Sequence, residues 1–218
     1  MGSSRDRLSA LQRELLEAFF QREQRFSLTG GGALAGFHLK HRESRDLDLF
    51  ARTVVDLDLA ERALEDSVRA CGAACRTEVR YPEFRRYLVE RGQETTLVDL
   101  AIDRAPEVDP DKVMFGVVRV DSLREIAANK ICTVLSRCEI RDLVDLKAIL
   151  EAGIELEAAL ADAKLKDGGV DPATLAWLLS ELHVTADASL PGGIASNELL
   201  SFRDDIVRRL RALAFPGP

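Results

Sequence analysis

Residues Ser27 to Arg52 read SLTGGGALAGFHLKHRESRDLDLFAR, and the order of features within them decides the fold. Phe26 and Leu28 alternate with Ser27 and Thr29 as in a short half-buried strand, which runs straight into Gly30, Gly31 and Gly32. Ala33, Leu34, Ala35 and Phe37 then suit a helix ending near Lys40. Leu47 and Leu49 alternate with Asp46 and Asp48 in a second strand, so one face is apolar and the two carboxylates share the other.

Glycines between a strand and a helix let the backbone approach closely, and the amides at the helix start can then point at a phosphate. Taken alone, such a turn also serves as a structural bend. Asp46 and Asp48 offer the hard oxygen ligands that magnesium or manganese takes, although an isolated D-x-D also suits a solvated strand face. The joint pattern is the informative one: phosphate amides at Gly30, Gly31 and Gly32 stand beside metal carboxylates at Asp46 and Asp48. A phosphate site with two metals calls for a third carboxylate. Asp99, in TTLVDLAID, shares one strand side with Thr95, Leu97, Ala101 and Asp103, while Val98, Leu100 and Ile102 take the other. It is the first candidate, ahead of Asp103 at the strand end.

Outward from this stretch, Leu8, Leu11, Leu15, Leu16, Phe19 and Phe20 recur at helical spacing and predict an amphipathic helix. Asp56 to Ala70 predicts another, stopped at Gly72. Arg76–Arg80, Phe84–Glu90 and Thr95–Asp103 read as three strands, turning at Tyr81-Pro82 and at Arg91-Gly92-Gln93. Five arginines between Arg76 and Arg91 stand against three glutamates there, suiting either an RNA backbone or a solvated hairpin.

From Ser122 on, helical periodicity covers roughly 122–136, 141–151, 155–165, 171–183 and 195–213. The expected class is α+β, a mixed or antiparallel sheet with flanking helices in residues 1–110, followed by a helical bundle in 111–218 that completes the active site. Within NKICTVLSRCEIRDLVDLKAIL, Lys130 and Arg137 lie seven residues apart on one helical stripe and can reach a triphosphate together. Arg141 is a further phosphate candidate. Asp142 is either a catalytic residue or the N-cap of the next helix, with Asp145 beyond it.

The length of 218 residues and 46% hydrophobic content support a substantial core. A net charge of −7 and a pI near 5.2 exclude a broad basic face for nonspecific nucleic-acid binding. Cys71, Cys75, Cys132 and Cys138 form no C-x-x-C pair, and three histidines are too scattered for a zinc site. No apolar run of membrane-spanning length or signal peptide is present, so the expected location is cytoplasmic, with reduced cysteines.

GGGALAGFHLKHRESRDLDLF resembles the signature of the AbiEii/AbiGii toxin family of nucleotidyltransferases, within the DNA polymerase beta superfamily, and K-x6-R-x3-RDLVDL resembles that family's second signature. The resemblance runs from about residue 26 to 150. It implies a nucleotidyltransferase fold and transfer of a nucleoside monophosphate from a nucleoside triphosphate to an acceptor hydroxyl. Gly30 and Gly31 would form the phosphate turn, Asp46 and Asp48 the metal ligands and Lys130 a phosphate contact, and Asp142 matches a motif aspartate; Asp99, chosen from the strand pattern, would help to activate the acceptor. It also implies a toxin of a toxin–antitoxin or phage-defence pair, with an antitoxin partner and transfer RNA as acceptor. A small acceptor of aminoglycoside type is the alternative within the enzyme class, and an inactive binding module the alternative outside it. Many relatives carry Thr or Ser where Gly32 stands, a hydroxyl suited to phosphate, and many carry Gly in place of Lys40.

Overall fold

The structure, a computed structural model, describes residues 7–52, 57–185 and 189–215. Helix α1 (Ala10–Phe20) begins at a capping box: Ser9 Oγ accepts the Gln12 amide at 3.2 Å, and Gln12 Oε1 accepts the Ser9 amide at 2.9 Å. Its apolar face, Leu11, Leu15, Leu16, Phe19 and Phe20, is buried as its spacing predicts. Strand β1 (Ser27–Thr29) passes without a loop into α2 (Gly30–Ala33), which widens into one π-helical turn over Leu34–His38. The turn closes at Lys40, whose amide donates to the Leu34 carbonyl at 3.1 Å and whose φ is +53°. Glycine occupies that left-handed conformation without strain.

Next come β2 (Asp46–Ala51), α3 (Leu57–Ala70), β3 (Ala74–Arg80), β4 (Phe84–Arg91) and β5 (Glu94–Ile102), and then a hairpin of β6 (Val113–Phe115) and β7 (Val118–Val120). The expected start of α3 at Asp56 lies outside the described residues. The seven strands form one sheet in the order β3-β4-β5-β2-β1-β7-β6. β2 pairs with β5 and β1 with β7 in parallel; the remaining pairs are antiparallel, so the sheet is mixed, as expected.

One face of the central strands, with Leu47, Leu49, Tyr87, Val89, Val98 and Leu100, is buried beneath α1 and α3. Gln12 of α1 ties into that face by donating to Thr96 Oγ1 at 3.0 Å. The opposite face carries Asp46, Asp48 and Phe50, then Leu97, Asp99 and Ala101, then Phe84, Arg86 and Leu88.

The chain divides into two compact units, one of residues up to Ala105 with Asp109–Ser122, the other of Pro106–Val108 with Leu123 onward. The division at Ser122 differs from the one expected at 110, because the β6–β7 hairpin joins the sheet. Three-residue strands are too short to show alternation, so this segment read as a connection. The second unit is helical: α4 (Leu123–Ser136), α5 (Ile140–Glu151), α6 (Leu156–Lys166), α7 (Pro172–Glu181) and α8 (Ser196–Ala214). Its interior includes Ile126, Ile131, Leu143, Ile149, Leu175 and Leu199, and α4 packs on α5, α6 and α7. All four cysteines are free thiols. No helix among the described residues is long and apolar enough to cross a membrane.

Lys40→Gly removes the cost of a left-handed non-glycine residue and should stabilise the chain by about 0.5–1 kcal/mol. A higher denaturant midpoint at unchanged slope is the expected readout; an unchanged or lower midpoint contradicts the assignment of strain to Lys40.

Candidate active site

Thr29, Asp48, Asp99 and Arg86 are register partners on four adjacent strands. Neighbouring strands lie about 4.8 Å apart, so this row presents a hydroxyl, two carboxylates and a guanidinium side by side on one face. Asp46, two residues before Asp48, stands on the same face beside Leu97. Three carboxylates from two strands thereby share one face by register alone.

The glycine turn is packed against this row. Gly30 has a φ of +62°, and a Cβ added there would lie 2.3 Å from Asp48 Oδ2, so only glycine lets the turn approach the carboxylate. A Cβ at Gly31 would lie 2.7 Å from the guanidinium of Arg42, a buried cation whose Nη1 donates to the Glu43 carbonyl at 2.8 Å. At Gly32 it would meet the Asp46 carbonyl at 3.0 Å and the Leu47 and Leu28 side chains behind it. A hydroxyl residue at Gly32 would therefore point at the β2 backbone. The expectation that Gly32 removes a phosphate-binding hydroxyl is corrected accordingly.

Asp99 is 5% exposed, and both its oxygens are taken by Arg86: Nε donates to Oδ1 at 2.7 Å and Nη2 to Oδ2 at 2.6 Å. Hydrogen bonding by Asp99, opposed by burial and reinforced by the charges of Asp99, Asp46 and Asp48, raises the pKa of Arg86. Its guanidinium also lies 5.6 Å from the ring centroid of Phe84. The donors suit a hard divalent cation, since Asp46, Asp48 and Asp99 are carboxylates aligned on one face. Among the described residues, however, no three His, Cys, Asp or Glu side chains are grouped closely enough to hold a metal, in keeping with Asp99 being committed to Arg86. Asp103 pairs instead with Arg52 and accepts the Ala105 amide at 3.0 Å.

The other arginines of this hairpin are also matched to carboxylates: Arg76 to Glu78, Arg80 and Arg85 to Asp58 and Glu61, and Arg91 to Glu14 and Glu94. Of the two readings of that arginine excess, ion-paired strands describe it better than a patch reserved for RNA.

The second-signature residues gather in the helical unit. Lys130 is buried, with Nζ 2.6 Å from Asp145 Oδ2 and 3.2 Å from Asp142 Oδ1. Arg137 also reaches Asp142, at 3.2 Å through both Nε and Nη2. Asp142 sits in the first turn of α5 and accepts the amide of Glu139, which is the N-cap residue, so Asp142 is not itself the cap. Burial pushes the Asp142 carboxyl up, but Arg137 and Lys130 outweigh it and hold the carboxyl below the usual range. Arg141 pairs with Glu139 at 2.7 Å. Lys130 and Arg137 do share a stripe, and what that stripe faces is carboxylate.

Three partners escaped the sequence reading. Arg86 and Arg42 are described above. The third is Asp121, fully buried just past β7, which accepts from Ser27 Oγ at 2.7 Å and pairs with Lys112 at 3.1 Å and Arg52 at 3.2 Å. It ties the foot of β1, and hence the glycine turn, to the ends of β2 and β7. Burial raises its carboxyl pKa, but Lys112, Ser27 and Arg52 together leave it below the ordinary value.

A mixed sheet that seats a strand–glycine–helix turn on an acidic strand pair is the architecture of a nucleotidyltransferase. The chain belongs to the nucleotidyl transferase AbiEii toxin family of type IV toxin–antitoxin systems, whose family model matches residues 14–215. No curated protein matches it. Among solved structures it is similar to JHP933 from Helicobacter pylori, at 20% identity and a TM-score of 0.56, over 93% of this chain and 91% of that one. A second Helicobacter pylori protein, described as a candidate nucleotidyltransferase, matches at 20% identity and a TM-score of 0.53, over 93% and 94% of the two chains. These likenesses show the fold.

Gly30→Ala meets both a left-handed φ and a clash with Asp48, whereas Gly116→Ala meets the same φ of +62° with nothing within 4 Å. Gly30→Ala should therefore be the more destabilising by at least about 1 kcal/mol, and equal losses in parallel denaturant titrations would remove the proposed close packing. Asp121 binds its proton less readily folded than unfolded, so the stability it contributes is present above about pH 4 and lost as pH falls through its folded value. Asp121→Asn should cost about 3 kcal/mol near neutrality, because Lys112 and Arg52 lose a buried counter-charge, and should flatten the acid limb of a stability–pH curve. An acid limb identical to that of the parent contradicts the assignment.

Proposed function

We propose that the chain transfers a nucleoside monophosphate from a nucleoside triphosphate to an acceptor hydroxyl, releasing pyrophosphate, with RNA and in particular transfer RNA as the acceptor. The observation that carries this reading is the seating of Gly30 on Asp48, which brings the glycine turn against the carboxylate pair. Asp46 and Asp48 hold magnesium, or manganese in its place. When bound, the ion neutralises charge on the triphosphate and on the departing pyrophosphate. The turn of Gly30, Gly31 and Gly32 presents its amides to the phosphates, and the nearby Arg42 guanidinium favours an anion there. Asp99 accepts the proton of the attacking hydroxyl, and Arg86 fixes that carboxylate's orientation in the ligand-free chain.

In the helical unit, Lys130 and Arg137 supply positive charge for the triphosphate, with Arg141 behind them. Because Lys130 is already paired to Asp142 and Asp145, it engages phosphate only by sharing its hydrogens with those carboxylates, three donors being available on one ammonium. Asp142 then acts by holding Lys130 and Arg137 in place. Family membership supports an antitoxin partner encoded with the toxin. A cytoplasmic setting suits an enzyme of nucleotides and transfer RNA.

Labelled nucleoside triphosphates incubated with total RNA, and separately with aminoglycosides, test the reading. Label is expected in RNA of transfer-RNA size, and Asp48→Ala should reduce it at least about a thousandfold, the scale of several kcal/mol lost from the transition state. Label in aminoglycosides alone would replace RNA by a small acceptor. No transfer to either, with metal-dependent nucleotide binding retained, would make the chain a binding module.

A further inference from the structure

We propose that Arg86 is the built-in counter-ion of the acidic row, holding Asp99 when no divalent ion is bound and releasing it when one binds, so that guanidinium and metal compete for one carboxylate. The inference rests on the reading of Asp46 and Asp48 as a metal pair.

Three observations carry it. Both oxygens of Asp99 are engaged by the forked donors of Arg86, at 2.7 and 2.6 Å, so the lone pairs facing the fork are taken and a metal drawing on the same carboxylate has to share it with a neighbouring positive charge. Asp99 is register partner to Asp48 on one side and Arg86 on the other, which makes it the single residue shared by the metal pair and the guanidinium. The two partners also differ in freedom: the Arg86 side chain is 39% exposed, the Asp99 side chain 6%. That exposure, with the Phe84 ring of its own strand 5.6 Å away, allows Arg86 to swing away. The strand register keeps Asp99 where it is.

The physical need is plain. Three carboxylates on adjacent pleats repel one another, and a half-exposed guanidinium relieves that repulsion without closing the site permanently. A guanidinium displaced from Asp99 stays beside the row, where it can meet the phosphates that arrive with the metal.

Manganese alone, without nucleotide, is the probe, with free ion counted by its paramagnetic resonance signal. Arg86→Gln removes the competitor and should tighten manganese binding about tenfold, the scale on which an adjacent guanidinium alters a carboxylate's proton affinity. An ion pair serving stability alone predicts unchanged or weaker binding in Arg86→Gln, and either result overturns the inference. Should Arg86→Gln fail to fold with Asp99 uncompensated, Arg86→Lys keeps a positive charge but loses the fork. It should then bind manganese with an affinity above that of the parent, and parity with the parent overturns the inference. Asp48→Asn distinguishes this failure from failure of the underlying reading. If the parent binds no manganese, or binds it as well with Asn at 48, the metal pair itself is wrong and the competition falls with it.

Discussion

Parallel pairing of β2 with β5 governs the site more than any single side chain does. It sets Asp48 beside Asp99 across strands separated in sequence by α3 and the β3–β4 pair, and it makes β5 the partner of both β2 and β4. Each consequence follows by adjacency. β4 brings Arg86 to Asp99, β1 on the other side of β2 brings Thr29 to Asp48, and the turn leaving β1 then has to pass over Asp48 with no Cβ at Gly30. A slip of one residue in the β2–β5 register would turn every β5 side chain over, burying Asp99 against α1 and α3 and exposing Val98 and Leu100 among the carboxylates. The apolar residues under the helices thus hold the register, and the register holds the chemistry.

What could be read from the chain alone was the local part. Asp46 and Asp48 share a face because a strand alternates, and Gly30 follows β1 because the strand ends in three glycines; neither statement needs a distant partner. The Arg86–Asp99 pair was also within reach. The turn at Gly92-Gln93 sets Arg91 opposite Glu94, and counting back along the antiparallel ladder places Arg86 opposite Asp99. Composition shows the arginines only as a group, whereas in the sheet each is paired to carboxylates, Arg80 and Arg85 sharing Asp58 and Glu61. The β6–β7 hairpin and Asp121 lay beyond such counting. Three-residue strands carry too little period, and Asp121 matters through Ser27, Arg52 and Lys112, which sequence distance separates.

The helical unit shows a different limit. Spacing places Lys130 and Arg137 on one helical stripe, and the structure keeps both near it, Lys130 within α4 and Arg137 in the turn just past its end, both reaching Asp142. Periodicity defines a stripe but not what it faces. The packing of α5 against α4 decides that, and it supplies Asp142 and Asp145 as two fully buried carboxylates against one buried ammonium. The two aspartates thereby supply the counter-charge that a buried ammonium requires.

Arg86 with Asp99 and Lys130 with Asp142 and Asp145 therefore share one electrostatic design, although they stand in different units and differ in exposure. In each, a cation suited to phosphate is held by carboxylates within the protein. Leaving either charge bare would cost several kcal/mol of desolvation or repulsion, and pairing removes that cost. An exchange of partners is easily made at Arg86, where solvent already reaches the guanidinium. At Lys130, with its side chain 7% exposed and both carboxylates at 0%, the proposed phosphate contact would be added to the existing pairs, because releasing one would strand a buried negative charge. The two sites should thus respond to ligand differently: the sheet row by exchanging its counter-ion, the helical cluster by keeping its own.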